Sequence, residues 1–351
     1  MKMFKAFAVV ALALAMAFVA DGKPKVKVLA TGGTIAGAQS STAEAGYKSG
    51  SFSVDDLIKA VPAMTNLAEL SGEQVANIGS QTMNHEVWLK LAKRVNEVLA
   101  GDTDGVVITH GTDTMEETAY FLGLVVKSDK PVILVGSMRP ATAIGADGPA
   151  NLYNAVALAA NSDARGRGAL VILNDTIHYG RETEKTHTTH LDTFKSPNRG
   201  VAGVMNVGKA FFYSANTTRH TTKSQFSVDN LSIDNLPYVE IVYSYANFGG
   251  GAIDDAVKRG AKGIILAGVG DGNTTDAALD ALKKAAQAGV VVCRSSRVGS
   301  GIVDRNVEIK DDDMGFITAM ELNPQKARIL LMLGLTQTKE PKQLQELFYQ
   351  Y

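Results

Sequence analysis

The chain has 351 residues, 45% hydrophobic and 20% charged. That balance excludes a disordered polypeptide and leaves room for two domains, each with its own core. A formal net charge of -1 gives no electrostatic reason to expect nucleic acid or an anionic membrane as partner.

Lys2 and Lys5 precede an uncharged, alanine-rich run from Ala6 to Ala20, which Asp21-Gly22-Lys23-Pro24 breaks. This is the layout of a secretory signal peptide of about 22 residues, too short to span a bilayer comfortably. The expected mature protein is exported and has no membrane span. Cys293 is the only cysteine, so no intramolecular disulfide forms, and it reads as a buried strand residue.

Val26-Lys27-Val28-Leu29 is a short β-type run entering Ala30-Thr31-Gly32-Gly33-Thr34-Ile35-Ala36-Gly37. The paired glycines permit a sharp turn close to a ligand, and Thr34 is the first hydroxyl after it. Neither the P-loop nor the dinucleotide-binding glycine pattern is present. Residues 38–53, rich in Ser, Ala and Gly around Tyr47, read as a loop or lid. A short helix over 54–61, a strand over 73–78 and a helix over 87–99 follow. Strands are expected at 105–109, 131–135 and 169–173, with helices from Thr114 to about 126 and from about 149 to 160. Thr114 and Glu117 have capping-box spacing. The alternation predicts a mostly parallel sheet with helices on both faces.

Polar residues 216–236 read as an interdomain linker. A second series follows, with strands at 238–243, 263–267 and 290–293 and helices at about 252–259, 276–288 and 324–335. Asn323 is the expected N-cap of the last helix, with Pro324 at its first position. The expected architecture is α/β: an N-terminal domain over 23–215 and a smaller C-terminal α/β domain over 237–351.

Four strand ends of the first half finish in glycine plus small polar residues: Thr34, Ser80-Gln81, Thr112-Asp113 and Ser137. A parallel sheet gathers such ends at one edge, where hydroxyls, an amide and a carboxylate suit a small zwitterionic ligand. His110 sits too close in sequence to Asp113 for an easy Ser-His-Asp triad, and it reads as structural. His187 and His190 have no third metal ligand nearby. Lys185 and Asp113 remain as base candidates. The residues by themselves point to a metal-free hydrolase or a binding protein that uses threonine hydroxyls.

The segments ATGGTIAG, GEQVANIGSQ, ITHGTDTMEETAYFL, GSMRP, DGPANLYNA and LNPQKARILL, in this order from about Lys25 to Tyr351, resemble the bacterial type II L-asparaginases. The resemblance implies cofactor-free hydrolysis of L-asparagine to L-aspartate and ammonia, with weaker action on L-glutamine. It implies Thr34 as nucleophile with Tyr47 of the lid against it, and Thr112, Asp113 and Lys185 as a second polar triad. Asp113 would also bind the substrate ammonium, Ser80 and Gln81 would hold its carboxylate and amine, and Ser137 would face the leaving amide. Asn273 and Glu308 match positions that enter the site from a neighbouring subunit of a homotetramer, a pair of close dimers in the periplasm. An acyl-enzyme on Thr34 and direct attack by water both fit these residues.

Some relatives carry a first-domain disulfide that this chain lacks. Ser137 points towards a dual glutaminase-asparaginase of comparable activities, whereas Asn273 points towards asparagine. An exported amino-acid binding protein would share the polar cleft but gives no reason for Thr34 or Lys185. The amidase subunit of a tRNA-dependent amidotransferase would need neither an export signal nor this neutral surface.

Overall fold

The computed structural model describes residues 22–39 and 46–351. The expected signal peptide up to residue 21 and the tip of the expected lid, 40–45, lie outside the described residues. So does the side chain of Tyr47.

Two parallel-based sheets organise the chain. The larger has eight strands in the spatial order Lys209–Phe212, Gly203–Asn206, Thr176–Tyr179, Ala169–Leu173, Val132–Val135, Gly105–Thr109, Lys25–Gly32 and Glu69–Ile78. Its last five strands pair in parallel, and the first three extend the sheet by antiparallel pairing. The smaller sheet is wholly parallel, in the order Val239–Tyr243, Gly263–Gly268, Val291–Ser296 and Ile317–Thr318. No described helix is long and apolar enough to cross a membrane.

The sequence explains the layering. Gly105–Thr109 is buried at every residue, the near-continuous apolar run of a strand covered on both faces. Side chains alternate between those faces. Leu29, Val106, Ile108 and Leu134 join the core under the helices His85–Ala100 and Met115–Val125. Val28, Val107, Ile133 and Val135 join the core under Val54–Ala60 and Gly148–Ala159. The first core continues without a break into Ile265, Cys293, Leu330 and Phe348 of the second half, so the two sheets share apolar packing.

Helix starts follow their caps. Asn84 accepts from the Val87 amide at 3.0 Å, and Asn323 accepts from Lys326 at 3.1 Å ahead of Pro324, each satisfying an amide the helix leaves unpaired. The expected capping box at Thr114 does not form. Thr114 Oγ1 instead donates to the Ser80 carbonyl at 2.8 Å, and its side chain makes no cap bond. The hydroxyl ties two turns together rather than ending one helix. Sequence periodicity also passed over the short strands 176–179, 203–206 and 209–212 and the helix Pro341–Gln350.

One irregularity bears on the site. In the pairing of Lys25–Gly32 with Glu69–Ile78, Ala30 faces Gln74 but Gly32 faces Ile78. Two residues of one strand therefore lie opposite four of the other. The Gln74 side chain closes the gap, donating to the carbonyls of Ala30 at 3.3 Å and Ala76 at 2.6 Å.

Candidate active site

Four turns meet at the carboxyl edge of the large sheet, where crevices open in parallel α/β folds. Lys25–Gly32 leads into Gly33-Thr34, Glu69–Ile78 into Gly79-Ser80, Gly105–Thr109 into Gly111-Thr112-Asp113, and Val132–Val135 into Gly136-Ser137. Gly33 lies against Gly111, and a β-carbon on Gly111 would lie 2.5 Å from Ser80 Oγ. The third contact closes the set, because Gly136 sits against the His110 carbonyl and the Thr112 methyl. Thr34, Ser80, Thr112 and Ser137 are all buried here, whereas Gln81 and Asp113 face outward.

The polar groups then connect. Ser80 Oγ accepts from the Asp113 amide at 3.2 Å. Lys185 Nζ donates to Thr112 Oγ1 at 2.9 Å and to Asp113 Oδ1 at 2.6 Å. The lysine side chain is 17% exposed and the aspartate 56%, so the pair runs from the floor of the site to its mouth. An open cleft of about 390 Å³ adjoins it, bounded by Asp113, Glu116, Lys185, His187 and Gln325. Ser137 Oγ donates to the Arg139 carbonyl at 2.7 Å. Its loop is fixed by Asp147, which accepts from the amides of Met138 and Arg139 at 2.9 Å each.

His110 is fully buried and its hydrogen bonds assign its proton. The Trp88 indole can only donate, and it donates to Thr118 Oγ1 at 2.9 Å. The Gly111 carbonyl can only accept, so Nδ1 carries the imidazole proton and donates to it at 2.7 Å. In the neutral ring Nε2 then accepts from the Thr118 hydroxyl at 2.9 Å. Burial pushes this imidazole down to about 4. Such a histidine stays neutral and holds the Gly111-Thr112 peptide in place.

This arrangement can bind a small zwitterion and offer hydroxyls beside a lysine. The sequence comparisons agree with it. A family model described as "Asparaginase, N-terminal" matches residues 25–218, and one described as "Glutaminase/Asparaginase C-terminal domain" matches 238–348. The chain belongs to the asparaginase family.

Within the asparaginase family, the chain is similar to L-asparaginase 2 of Bacillus subtilis, 52% identical over 93% of this chain and 87% of that protein. It is equally similar, at 52%, to a probable periplasmic L-asparaginase of Haemophilus influenzae, over 93% of this chain and 92% of that one. A glutaminase-asparaginase of Pseudomonas fluorescens is 47% identical over 93% of this chain and 90% of its own length. Among solved structures, a probable cytoplasmic L-asparaginase from Campylobacter jejuni superposes with a TM-score of 0.91 at 51% identity, covering 94% of this chain and all of that one.

The remaining residues of interest lie on other elements. Asn273 and Glu308 lie on loops of the smaller sheet, where the Asn273 amide donates to the Glu308 carboxylate. Arg294 braces both loops, donating to the carbonyls of Asp271 at 3.0 Å and Asp304 at 2.8 Å. Tyr47 begins a two-residue strand, Tyr47–Lys48, that pairs antiparallel with Ala38–Gln39 just after Thr34. His187 and His190 stack ring on ring at 3.5 Å, and His187 Nδ1 accepts from two backbone amides at 3.1 Å each. Among the described residues no cluster of His, Cys, Asp and Glu is placed to hold a metal ion.

Sequence reasoning does not reach Glu116 or Gln325. Glu116 is almost fully buried and accepts from the Lys185 amide at 2.7 Å. Gln325 Nε2 donates to its other oxygen at 2.6 Å. Two adjacent glutamates, Glu116 and Glu117, opening a helix whose other residues are mostly buried are the signal that would flag it.

Proposed function

We propose that this protein hydrolyses L-asparagine to L-aspartate and ammonia, with secondary action on L-glutamine, through an acyl-enzyme on Thr34. The observation that carries the reading is Lys185 bridging Thr112 and Asp113 beside the backbone contact that delivers Thr34. The relatives named as L-asparaginases and as glutaminase-asparaginase support the substrate class.

In this reading Thr34 Oγ attacks the side-chain amide carbon while its proton passes to a neighbouring base. The C–N bond breaks and nitrogen leaves as ammonia after taking up a proton. Water then cleaves the Thr34 ester, releasing L-aspartate and restoring the hydroxyl. Thr34 needs a base because a neutral hydroxyl is a weak nucleophile, and such proton transfer is worth about 10² to 10⁴ in rate. Tyr47 closes over it, and Lys185 and Asp113 polarise Thr112, whose backbone N–H meets the oxyanion. One such donor is worth roughly 3 to 4 kcal/mol. Ser80 and Gln81 hold the α-carboxylate and amine, Asp113 holds the ammonium, and Ser137 faces the leaving amide through its carbonyl. Asparagine and glutamine differ by one methylene, worth only about 1 to 3 kcal/mol of discrimination, so activity on both is expected.

We also read residues 1–22 as an export signal and the mature protein as periplasmic, 23–215 and 237–351 as the two domains, and 216–236 as their linker. The Haemophilus relative described as periplasmic supports export, and the limits of the two family matches support the division. Asn273 and Glu308 are assigned to a neighbouring subunit's site in a homotetramer. Ammonia release from both amides by the purified protein, with mass spectrometry of acid-quenched enzyme, tests the chemistry. The expected adduct maps to Thr34 and is absent in Thr34→Ala. No ammonia from either amide would overturn the reading.

A further inference from the structure

We propose that Glu116 is the positioning residue that fixes Lys185 against Thr112 and Asp113. The inference rests on the reading of that triad given above and adds to it what holds the lysine in place. Lys185 is on a two-residue strand, Glu184–Lys185, whose ladder partner is Phe194–Lys195. This small ribbon is separate from both large sheets, so no sheet register sets the position of the lysine backbone.

Glu116 supplies that position. Its Oε2 accepts from the Lys185 amide at 2.7 Å, and Oε1 accepts from Gln325 Nε2 at 2.6 Å and Asn323 Nδ2 at 3.2 Å. It stands three residues after Asp113, in the first turn of Met115–Val125. The turn that ends at the Thr114 cap carries the two groups that Lys185 Nζ meets, and the helix start directly after it carries the acceptor that anchors the Lys185 backbone. A lysine has a flexible stem with about 2 kcal/mol of rotamer entropy. Tethering its backbone and head to one element leaves few ways for the ammonium to stray. Through Asn323 and Gln325 the same carboxylate ties this turn to the start of the Pro324–Gly334 helix.

Reach and charge can be separated. Glu116→Asp keeps a carboxylate whose charge acts on the buried Lys326 but withdraws it by one methylene, out of range of the Lys185 amide. Glu116→Gln loses the charge and keeps an oxygen at full length, while the Gln325 amide can turn to accept from its new N–H and Asn323, whose Oδ1 caps the Lys326 amide, keeps its orientation. A misplacement on the order of 1 Å costs about 10²-fold in rate. Glu116→Asp is therefore expected to lose about 10- to 100-fold in kcat with KM for L-asparagine within about threefold, and Glu116→Gln to keep kcat within about threefold.

A role limited to balancing charge predicts the opposite order, so an aspartate variant as active as the glutamine variant, or more active, overturns the proposal. So does equal loss in both, or wild-type kcat in both. Lys185→Met is the control. If it retains kcat, the catalytic reading of the triad fails. If it loses kcat while Glu116→Asp does not, only the positioning role fails.

Discussion

Gly33 and Gly111 pack backbone to backbone: a β-carbon on Gly33 would lie 2.4 Å from the Gly111 nitrogen and 2.6 Å from its Cα. Gly33 also holds φ 83° and ψ -176°, a region essentially closed to other residues at a cost of order 1 to 3 kcal/mol. The contact sets Thr34 and Thr112 out from adjoining points. Gly33→Ala is expected to part the two turns and lower kcat/KM by about 100-fold or more. Steady-state kinetics beside a far-ultraviolet circular dichroism spectrum checks this, the spectrum staying native.

A second expectation concerns pH. Glu117 is pushed up to about 7 by burial and then by the charge of Glu116, against Arg328 and Lys326. The native state thus keeps a proton that the unfolded chain releases near the ordinary value of 4.5. Its contribution to stability is present at low pH and is lost as pH rises from 4.5 through 7. Glu117→Gln should therefore gain on the wild type by about 2 to 3 kcal/mol between pH 4.5 and 8. Urea midpoints at the two ends measure the gap.

The Arg294–Asp311 pair lies at 1% and 0% side-chain exposure, with bonds of 2.6 and 2.7 Å. Removing one partner leaves the other charged and unanswered, at about 3 to 5 kcal/mol. Asp311→Ala should lower the thermal midpoint accordingly. Because Arg294 also braces the loops of Asn273 and Glu308, KM for L-asparagine should rise in the same variant, which titration of initial rates would show.

Cys293 is buried, and burial pushes its thiol well above the ordinary range. The thiolate is the reactive form. A thiol-directed probe should leave the native protein unlabelled for hours and modify it stoichiometrically in denaturant, as intact mass would report.

Legibility followed the range of the signal. Gly105–Thr109, Ala169–Leu173 and the Asn323-Pro324 helix start were readable because apolar pattern and cap chemistry act over a few residues. The gathering of Thr34, Ser80, Thr112 and Ser137 at one sheet edge was readable because parallel strands impose it. Thr114 misled, since a hydroxyl at cap spacing cannot announce that a carbonyl 34 residues earlier will claim it. Glu116 went unseen for the same reason. Its partners, Lys185 and Gln325, lie 69 and 209 residues away, and no local pattern encodes such pairing. The Arg294–Asp311 bond hid likewise, behind a strand that read as apolar.

The unequal pairing of Ala30–Gly32 with Gln74–Ile78 bears on anyone who would rebuild this crevice. The two surplus residues act as a spacer that delivers Ser80 to Gly111. A grafted loop one residue shorter would draw the Gly79-Ser80 turn back from Gly111 and break the Ser80–Asp113 bond, since Ser80 opens a helical turn just past the strand. Length in this segment is thus as much a part of the binding surface as the hydroxyl it presents, and libraries that vary composition while keeping the count are the ones expected to yield folded variants.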